Sequence, residues 1–170
     1  MKQEKGFTLL EIIVVMFIIG LFLFFAVPKF QDLTQVNLKS ASRNLTGTIK
    51  YLYNEAAFKK KIYRLVFDLE NNEYWVQVLE GSEYTAPLDS PNKRYKLPNG
   101  VYFKDVITER TLNKSSLVDE GEFILFLPTG FVEPAVIHIA TDNNDQYTLE
   151  TKPYTGGTRV YDEYVELLRR

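Results

Sequence analysis

The sequence predicts an α+β fold, with one long N-terminal helix packed on antiparallel β-sheets. Three observations carry that expectation. From Phe7 to Val27, 18 of 21 residues are apolar, the exceptions being Thr8, Glu11 and Gly20. From Phe30 to Ala56 apolar residues recur every three to five positions, the spacing of one helix face. Beyond residue 62 the chain alternates short runs of β-branched, aromatic and aliphatic residues with turn residues.

The averages hide this division. The 170 residues are 45% apolar and 25% charged, with net charge -2 and mean hydropathy -0.17, values typical of one soluble domain. They exclude fibrous repeats and a disordered tail, and they show no basic excess. No cysteine is present, so disulfide scaffolds, thiol nucleophiles and thiolate metal sites are excluded together. One histidine leaves little for imidazole chemistry. About 140 residues beyond the apolar block suffice for a core held by packing alone.

Read as a helix, the apolar block rises about 31 Å, near the roughly 30 Å of a bilayer's hydrocarbon core. A cleaved secretory signal has a shorter apolar region and an A-x-A site, and Ala26-Val27-Pro28 has no such pattern. Lys2 and Lys5 precede the block and place its start in the cytoplasm by the positive-inside tendency, with the following domain across the membrane. The expected divisions are residues 1–6 as a leader, 7–28 as a transmembrane and assembly helix, 29–61 as an amphipathic stem and 62–170 as a β-rich domain. Glu11 is the exception in the apolar helix. With Thr8 it forms a T-x-x-E capping box, which by itself accounts for an acid in the first turn. Pro28 either bends the helix between anchor and domain or opens a new helix at the membrane surface.

The stem face is Phe30, Leu33, Leu38, Ala41, Leu45, Ile49, Leu52 and Ala56, and Lys59, Lys60 and Lys61 suit its C-terminal dipole end. Strands are expected at 63–69, 74–79, 101–108, 122–127, 135–141, 146–152 and 158–162. Turns fall at 70–73, at Pro98-Asn99-Gly100, at Pro128-Thr129-Gly130, at 142–145 and at Gly156-Gly157. Segments 82–96 and 109–121 read as exposed loops.

Lys5-Gly6-Phe7-Thr8-Leu9-Leu10-Glu11, after a short charged leader and before a long apolar helix, resembles the class III signal of type IV pilins and pseudopilins. The resemblance implies cleavage between Gly6 and Phe7 by a prepilin peptidase on the cytoplasmic side, N-methylation of Phe7 and retention of the helix. A glycine at the scissile bond lets backbone enter a protease cleft closely. It also implies that Glu11 pairs with the Phe7 amine of a neighbouring subunit. Such a pair, buried among apolar helices, fixes register because one stagger neutralises both charges.

Farther on, Phe123-Ile124-Leu125-Phe126-Leu127-Pro128-Thr129-Gly130, Ala135 to Ala140, Tyr147 to Glu150 and Thr155-Gly156-Gly157-Thr158-Arg159-Val160 resemble the GspH/FimT-type pseudopilin domain. The closing motif departs from that family's T-G-R-V by an insertion between glycine and arginine. The resemblance implies a minor pseudopilin of the type II secretion system, anchored in a bacterial inner membrane with its domain in the periplasm. It implies a mechanical role in a filament that pushes folded proteins through the outer-membrane secretin. Its partners are then other major and minor pseudopilins, the prepilin peptidase and the inner-membrane assembly platform. No enzyme activity, cofactor or metal follows from it.

Two other readings stand beside it. FimT-like minor type IV pilins capture DNA through basic C-terminal residues, here Arg159, Arg169 and Arg170, but Asp162, Glu163 and Glu166 offset those charges. An unrelated protein anchored by a single span is the third. His138 lies on the strand face shared by Val136 and Ala140 and reads as structural. The turn Asp142-Asn143-Asn144-Asp145 offers oxygen ligands for calcium but lacks the glycine and closing glutamate of a dedicated loop, so it reads as a hairpin. The 11 tyrosines, all outside the apolar block, read partly as core and partly as contact surface.

Overall fold

The computed structural model describes residues 8–88, 93–112 and 121–166. Helix α1, Leu9–Lys59, is one element of 51 residues, so anchor and stem form a single helix. It continues through Pro28 without ending or restarting there, although a proline removes a backbone hydrogen bond and costs about 3 kcal/mol in a helix interior. Lys60 closes it in the left-handed region, φ 55°, and Lys59 pairs with Glu55 one turn back at 3.0 Å.

Strands β1 (Tyr63–Asp68) and β2 (Glu73–Glu80) form a hairpin. Its turn is held by Asp68, which accepts from the Asn71 backbone at 2.9 Å and from the Asn71 side chain at 2.8 Å, and Asn72 supplies the positive φ. Two short strands, β3 (Glu83–Thr85) and β4 (Arg94–Lys96), pair with different stretches of β2. The expectation that 82–96 is loop is therefore corrected. Each of these strands centres on a tyrosine with a distant partner: Tyr84 lies under the Arg64 guanidinium at 3.8 Å, and Tyr95 stacks on Tyr74 at 5.3 Å.

Then follow β5 (Val101–Thr108), the short α2 (Glu109–Leu112), β6 (Glu122–Leu127), β7 (Phe131–Val132), β8 (Ala135–Thr141), β9 (Gln146–Thr151) and β10 (Thr158–Tyr161). The seven expected strands are all present, with ends shifted by a residue or so. Residues 109–112 of the expected second loop are helix α2. One antiparallel sheet has the order β3-β2-β1-β6-β7, with β4 also on β2, and the other has β10-β9-β8-β5.

The stem half of α1 packs on both sheets. Leu38, Ala41, Leu45, Ile49, Leu52 and Ala56, all on the predicted face, are buried against Leu65, Phe67, Ile124, Phe126, Ile137, Ile139 and Leu149. At about 1.5–3 kcal/mol for each fully buried large apolar side chain, this helix face is the principal source of cohesion between the sheets. Every residue of β8 is buried, so this strand is covered on both faces. Ala135, Ile137 and Ile139 meet the core, and His138 points the other way.

Candidate functional site

The first site is the start of α1. Thr8 is the N-cap in extended conformation (φ -84°, ψ 152°), and its hydroxyl accepts from the Glu11 amide at 3.3 Å. The threonine half of the expected capping box is thus formed, and Glu11 sits in the first turn, where the helix dipole favours an acid. Gly6 and Phe7 lie outside the described residues, as do Arg169 and Arg170.

After Glu11, the large apolar residues from Ile12 to Phe24 lie open, from Val15 at 46% to Phe24 at 76% exposure. An apolar face of that size on one helix marks a surface made to be covered. Among the described residues, no helix is long and apolar enough to cross a membrane. The positions from Leu9 to Phe24 make about 24 Å of helix, and in the sequence the apolar run goes on to Val27.

The second feature joins two motifs that are apart in sequence. Gly130 (φ 77°) ends the Pro128-Thr129-Gly130 turn, and Gly156 (φ 59°) lies in the Thr155-Gly156-Gly157 loop. Both face Tyr53 of α1. A Cβ on Gly156 would fall 2.2 Å from Tyr53 Cγ, and one on Gly130 would sit 3.4 Å from the Tyr53 hydroxyl. That hydroxyl donates to the Tyr154 carbonyl at 2.8 Å, and Lys50 Nζ donates to the Thr155 carbonyl at 2.8 Å. The two glycine turns therefore clasp one ring of the stem helix, close enough that a side chain at 156 has no room. Periodicity did not single out Tyr53, because the residue flanks the fully buried stripe rather than lying in it.

The third feature is the edge strand β10. The extra residue before Arg159 leaves the strand in register, with Arg159 opposite Glu150. Arg159 is exposed, and its Nη1 donates to the Tyr161 hydroxyl at 3.4 Å. Tyr161 and Lys152 both donate to Glu150 Oε2 at 2.9 Å. Partial burial pushes the Glu150 carboxyl up, but these hydrogen bonds, with the charges of Lys152 and Arg159, outweigh it and the net shift is down. Arg159 is held above its ordinary range, chiefly by its bond to Tyr161. The strand pair therefore carries a mixed cluster in which one carboxylate, Glu150, offsets part of the charge of Lys152 and Arg159.

The turn at 142–145 is a hydrogen-bonded hairpin. Thr141 donates to the Asp145 carbonyl at 2.9 Å, Asn144 to the Thr141 carbonyl at 3.1 Å, and Asn144 takes φ 65°. Among the described residues, no three His, Cys, Asp or Glu side chains converge on a metal position. Tyrosines also gather beside the stem, where Tyr51, Tyr63, Tyr74 and Tyr95 line a groove of about 570 Å³ between α1 and β2. Burial, eased by a hydrogen bond with Thr48, holds the Tyr74 hydroxyl above its ordinary range.

Sequence reasoning missed a further constellation, at the junction of the two sheets. Arg110 of α2 grips Glu133 twice, Nε to Oε1 at 2.6 Å and Nη2 to Oε2 at 2.9 Å, and also donates to the Phe123 carbonyl at 2.6 Å. Glu133 Oε2 accepts from the Leu125 amide at 3.1 Å. Nothing in the spacing of these residues announces them.

Residues 1–27 match the family model described as the prokaryotic N-terminal methylation motif. That motif implies membrane anchoring. Solved structures with this fold include the minor pseudopilin EpsH from the type 2 secretion system of Vibrio cholerae. One EpsH structure matches with TM-score 0.58 at 16% identity, covering 76% of this chain and 99% of that one. A second EpsH structure gives TM-score 0.58 at 13% identity, over 76% and 96%. The type IV minor pilin FimU of Pseudomonas aeruginosa gives 0.51 at 14% identity, over 76% and 90%. No curated protein is significantly similar in sequence. The chain thus joins this N-terminal motif to the fold seen in the minor pseudopilin EpsH and the minor pilin FimU.

Proposed function

We propose that this chain is a minor pseudopilin, a structural subunit of a type II secretion pseudopilus that helps push folded proteins through the outer-membrane secretin. The observation that carries the proposal is the union, in one chain, of the methylation motif over residues 1–27 with a fold that matches EpsH over 76% of its length. Prepilin peptidase cuts between Gly6 and Phe7 and methylates the Phe7 amine. The apolar run to Val27 spans the inner membrane with its start in the cytoplasm, and the β-rich domain lies in the periplasm. An uncovered amine has an ordinary pKa of about 7.7–8.0 and is largely cationic at neutral pH, so Glu11 of one subunit neutralises Phe7 of the next. The open apolar face of α1 passes from lipid to neighbouring helices during assembly with other major and minor pseudopilins on the inner-membrane platform. Pro28 weakens the helix where anchor meets stem. The chain catalyses nothing.

The likeness to FimU favours a second reading, a type IV minor pilin, to which the C-terminal arginines Arg159, Arg169 and Arg170 would add DNA capture. Glu150, bonded to Lys152 and opposite Arg159, offsets part of the local positive charge and weighs against it, because DNA affinity rests on concentrated phosphate-binding cations. Site-specific cross-linking in cells that hold the secretion genes tests the first reading. Cross-links to the major pseudopilin are expected for the wild type and strongly reduced for Glu11→Ala. Unchanged cross-linking in Glu11→Ala removes the register role. A salt-dependent gel shift with the full chain, retaining DNA at physiological salt and losing it in Arg159→Ala, overturns secretion in favour of the second reading.

A further inference from the structure

His138 is 1% exposed on the face of β8 turned away from α1. Its Nδ1 lies 2.5 Å from Asp105 Oδ1, and its Nε2 lies 3.1 Å from the Val165 carbonyl. The Tyr164 ring stacks on the imidazole at 3.9 Å and 14°, and the Tyr164 hydroxyl donates to Asp105 Oδ2 at 3.3 Å. From β9, the Thr148 hydroxyl donates to the Glu163 carbonyl at 2.5 Å and accepts from the Val165 amide at 3.1 Å. The segment after β10 is thus docked on the outer face of the second sheet.

A backbone irregularity builds this seat. Phe103 pairs with Ile139, but Asp105 pairs with His138, so Lys104 is an extra residue between them. Such a bulge re-aims the following side chain. In regular register Lys104 would stand opposite His138, whereas here Asp105 does, and the Lys104 ammonium lies 4.5 Å from the Tyr164 ring centre.

The hydrogen bonds can be counted. A carbonyl only accepts, so Nε2 carries a proton. An ionised carboxylate also only accepts, so the Nδ1–Oδ1 contact needs a second proton, on nitrogen or on oxygen. Without it the ring has one hydrogen for two acceptors; Nδ1–H serves the charged carboxylate, and Nε2 faces the Val165 carbonyl lone pair to lone pair beside a buried ring.

We propose that residues 162–166 form a proton-dependent latch. The second proton of the His138–Asp105 pair holds the segment on the sheet, because without it the ring keeps its hydrogen toward Asp105 and Nε2 no longer donates to the Val165 carbonyl, which releases the segment and bares His138. The charged and titratable groups facing the pair are Asp105 and Lys104 from β5 and Tyr164 from the segment itself, with Glu166 acting on Tyr164. Thr148 of β9 does not titrate, and α1 packs on the opposite face. Tyr164 is held above its ordinary range, first by burial and then by the charge and hydrogen bond of Asp105, so it remains a donor at neutral pH. Histidine is the side chain that ordinarily changes charge between about pH 5 and 8, which sets the interval over which the latch is tested.

Hydrogen–deuterium exchange of the full chain in detergent micelles, corrected for the intrinsic pH dependence, tests this. Protection over 162–166 is expected to fall at least about ten-fold from about pH 5.5 to about pH 8, while protection of β8 holds. In Asp105→Asn the amide donates to a neutral Nδ1 while Nε2–H still serves Val165, so protection is expected to be the same at both pH values. The latch is overturned by wild-type protection that is equal at both, by a loss that β8 shares, or by the same fall in Asp105→Asn. If that variant does not fold, ring-nitrogen NMR of wild-type His138 decides. Ring titration and tail release must then coincide, and either one without the other overturns the latch.

Discussion

Substituting Gly156 by alanine tests the clasp on Tyr53. The new Cβ would lie 2.2 Å from Cγ, 2.5 Å from Cβ and 2.5 Å from Cδ1 of Tyr53. Two of these atoms are at the base of the side chain, where no rotation about χ2 relieves the overlap, so the loop itself must shift. A residue other than glycine in the left-handed region costs about 1–2 kcal/mol. Forced repacking adds about 1–3 kcal/mol, and the less flexible unfolded chain returns about 0.4–1 kcal/mol. The net expectation is a loss of about 1–4.5 kcal/mol, or roughly 2–18 °C in Tm for a domain of this size. Thermal unfolding of the full chain followed by near-ultraviolet circular dichroism measures it. Gly157→Ala, whose Cβ meets only Thr155 Oγ1 at 3.2 Å, should cost under about 1 kcal/mol. Tyr53→Ala removes Cγ and Cδ1 but keeps Cβ and the positive φ at 156, so it should absorb only part of the Gly156→Ala penalty in a double-mutant cycle. A Gly156→Ala variant within about 0.5 kcal/mol of wild type would refute the clasp.

The other predictions concern the junction, the core and pH. Glu133→Gln, which loses the charged double contact with a partly exposed Arg110, should cost about 1–3 kcal/mol in urea unfolding, and no loss would mean that the grip is ornamental. Ile49→Ala, at 0% exposure, should cost about 2–5 kcal/mol by the same assay, and a cost below about 1 kcal/mol would show that the stem face is not core. The Glu150 carboxyl, shifted down on balance, adds stability above its unfolded pKa that is lost as pH falls through the lower folded value. Carboxyl-carbon NMR should therefore show Glu150 titrating below the ordinary glutamate range, and a midpoint at or above that range would contradict the Lys152 and Tyr161 bonds.

Much of the fold could be read from residue patterns because the signals were local. The stem face repeats with helical period over 27 positions, and Leu45, Ile49, Leu52 and Ala56 lie at 0% exposure as that period required. Strand β5 starts after the Pro98-Asn99-Gly100 turn, and β6 and β8 are bounded on both sides by glycine, proline or asparagine, which set those ends. What escaped depends on contacts distant in sequence. Glu-Tyr-Thr and Arg-Tyr-Lys are too short and too polar to announce strands, and their tyrosines find Arg64 and Tyr74 only once β2 is in place. The orientation of His138 was readable from alternation along β8. Its partner was not, because the bulge at Lys104 moves Asp105 by one register position. At the site, Thr8 and Glu11 were legible from their spacing, whereas the meeting of Gly130 and Gly156 on Tyr53 needs the closed domain.

The central claim, that the chain is a processed pilin-like subunit, is tested most directly by mass spectrometry of its N-terminus after isolation from cells that contain prepilin peptidase. The account predicts a chain that begins at Phe7 with a methylated amine and lacks residues 1–6. A mature chain that keeps Met1 to Gly6, or that begins after Val27, would contradict it.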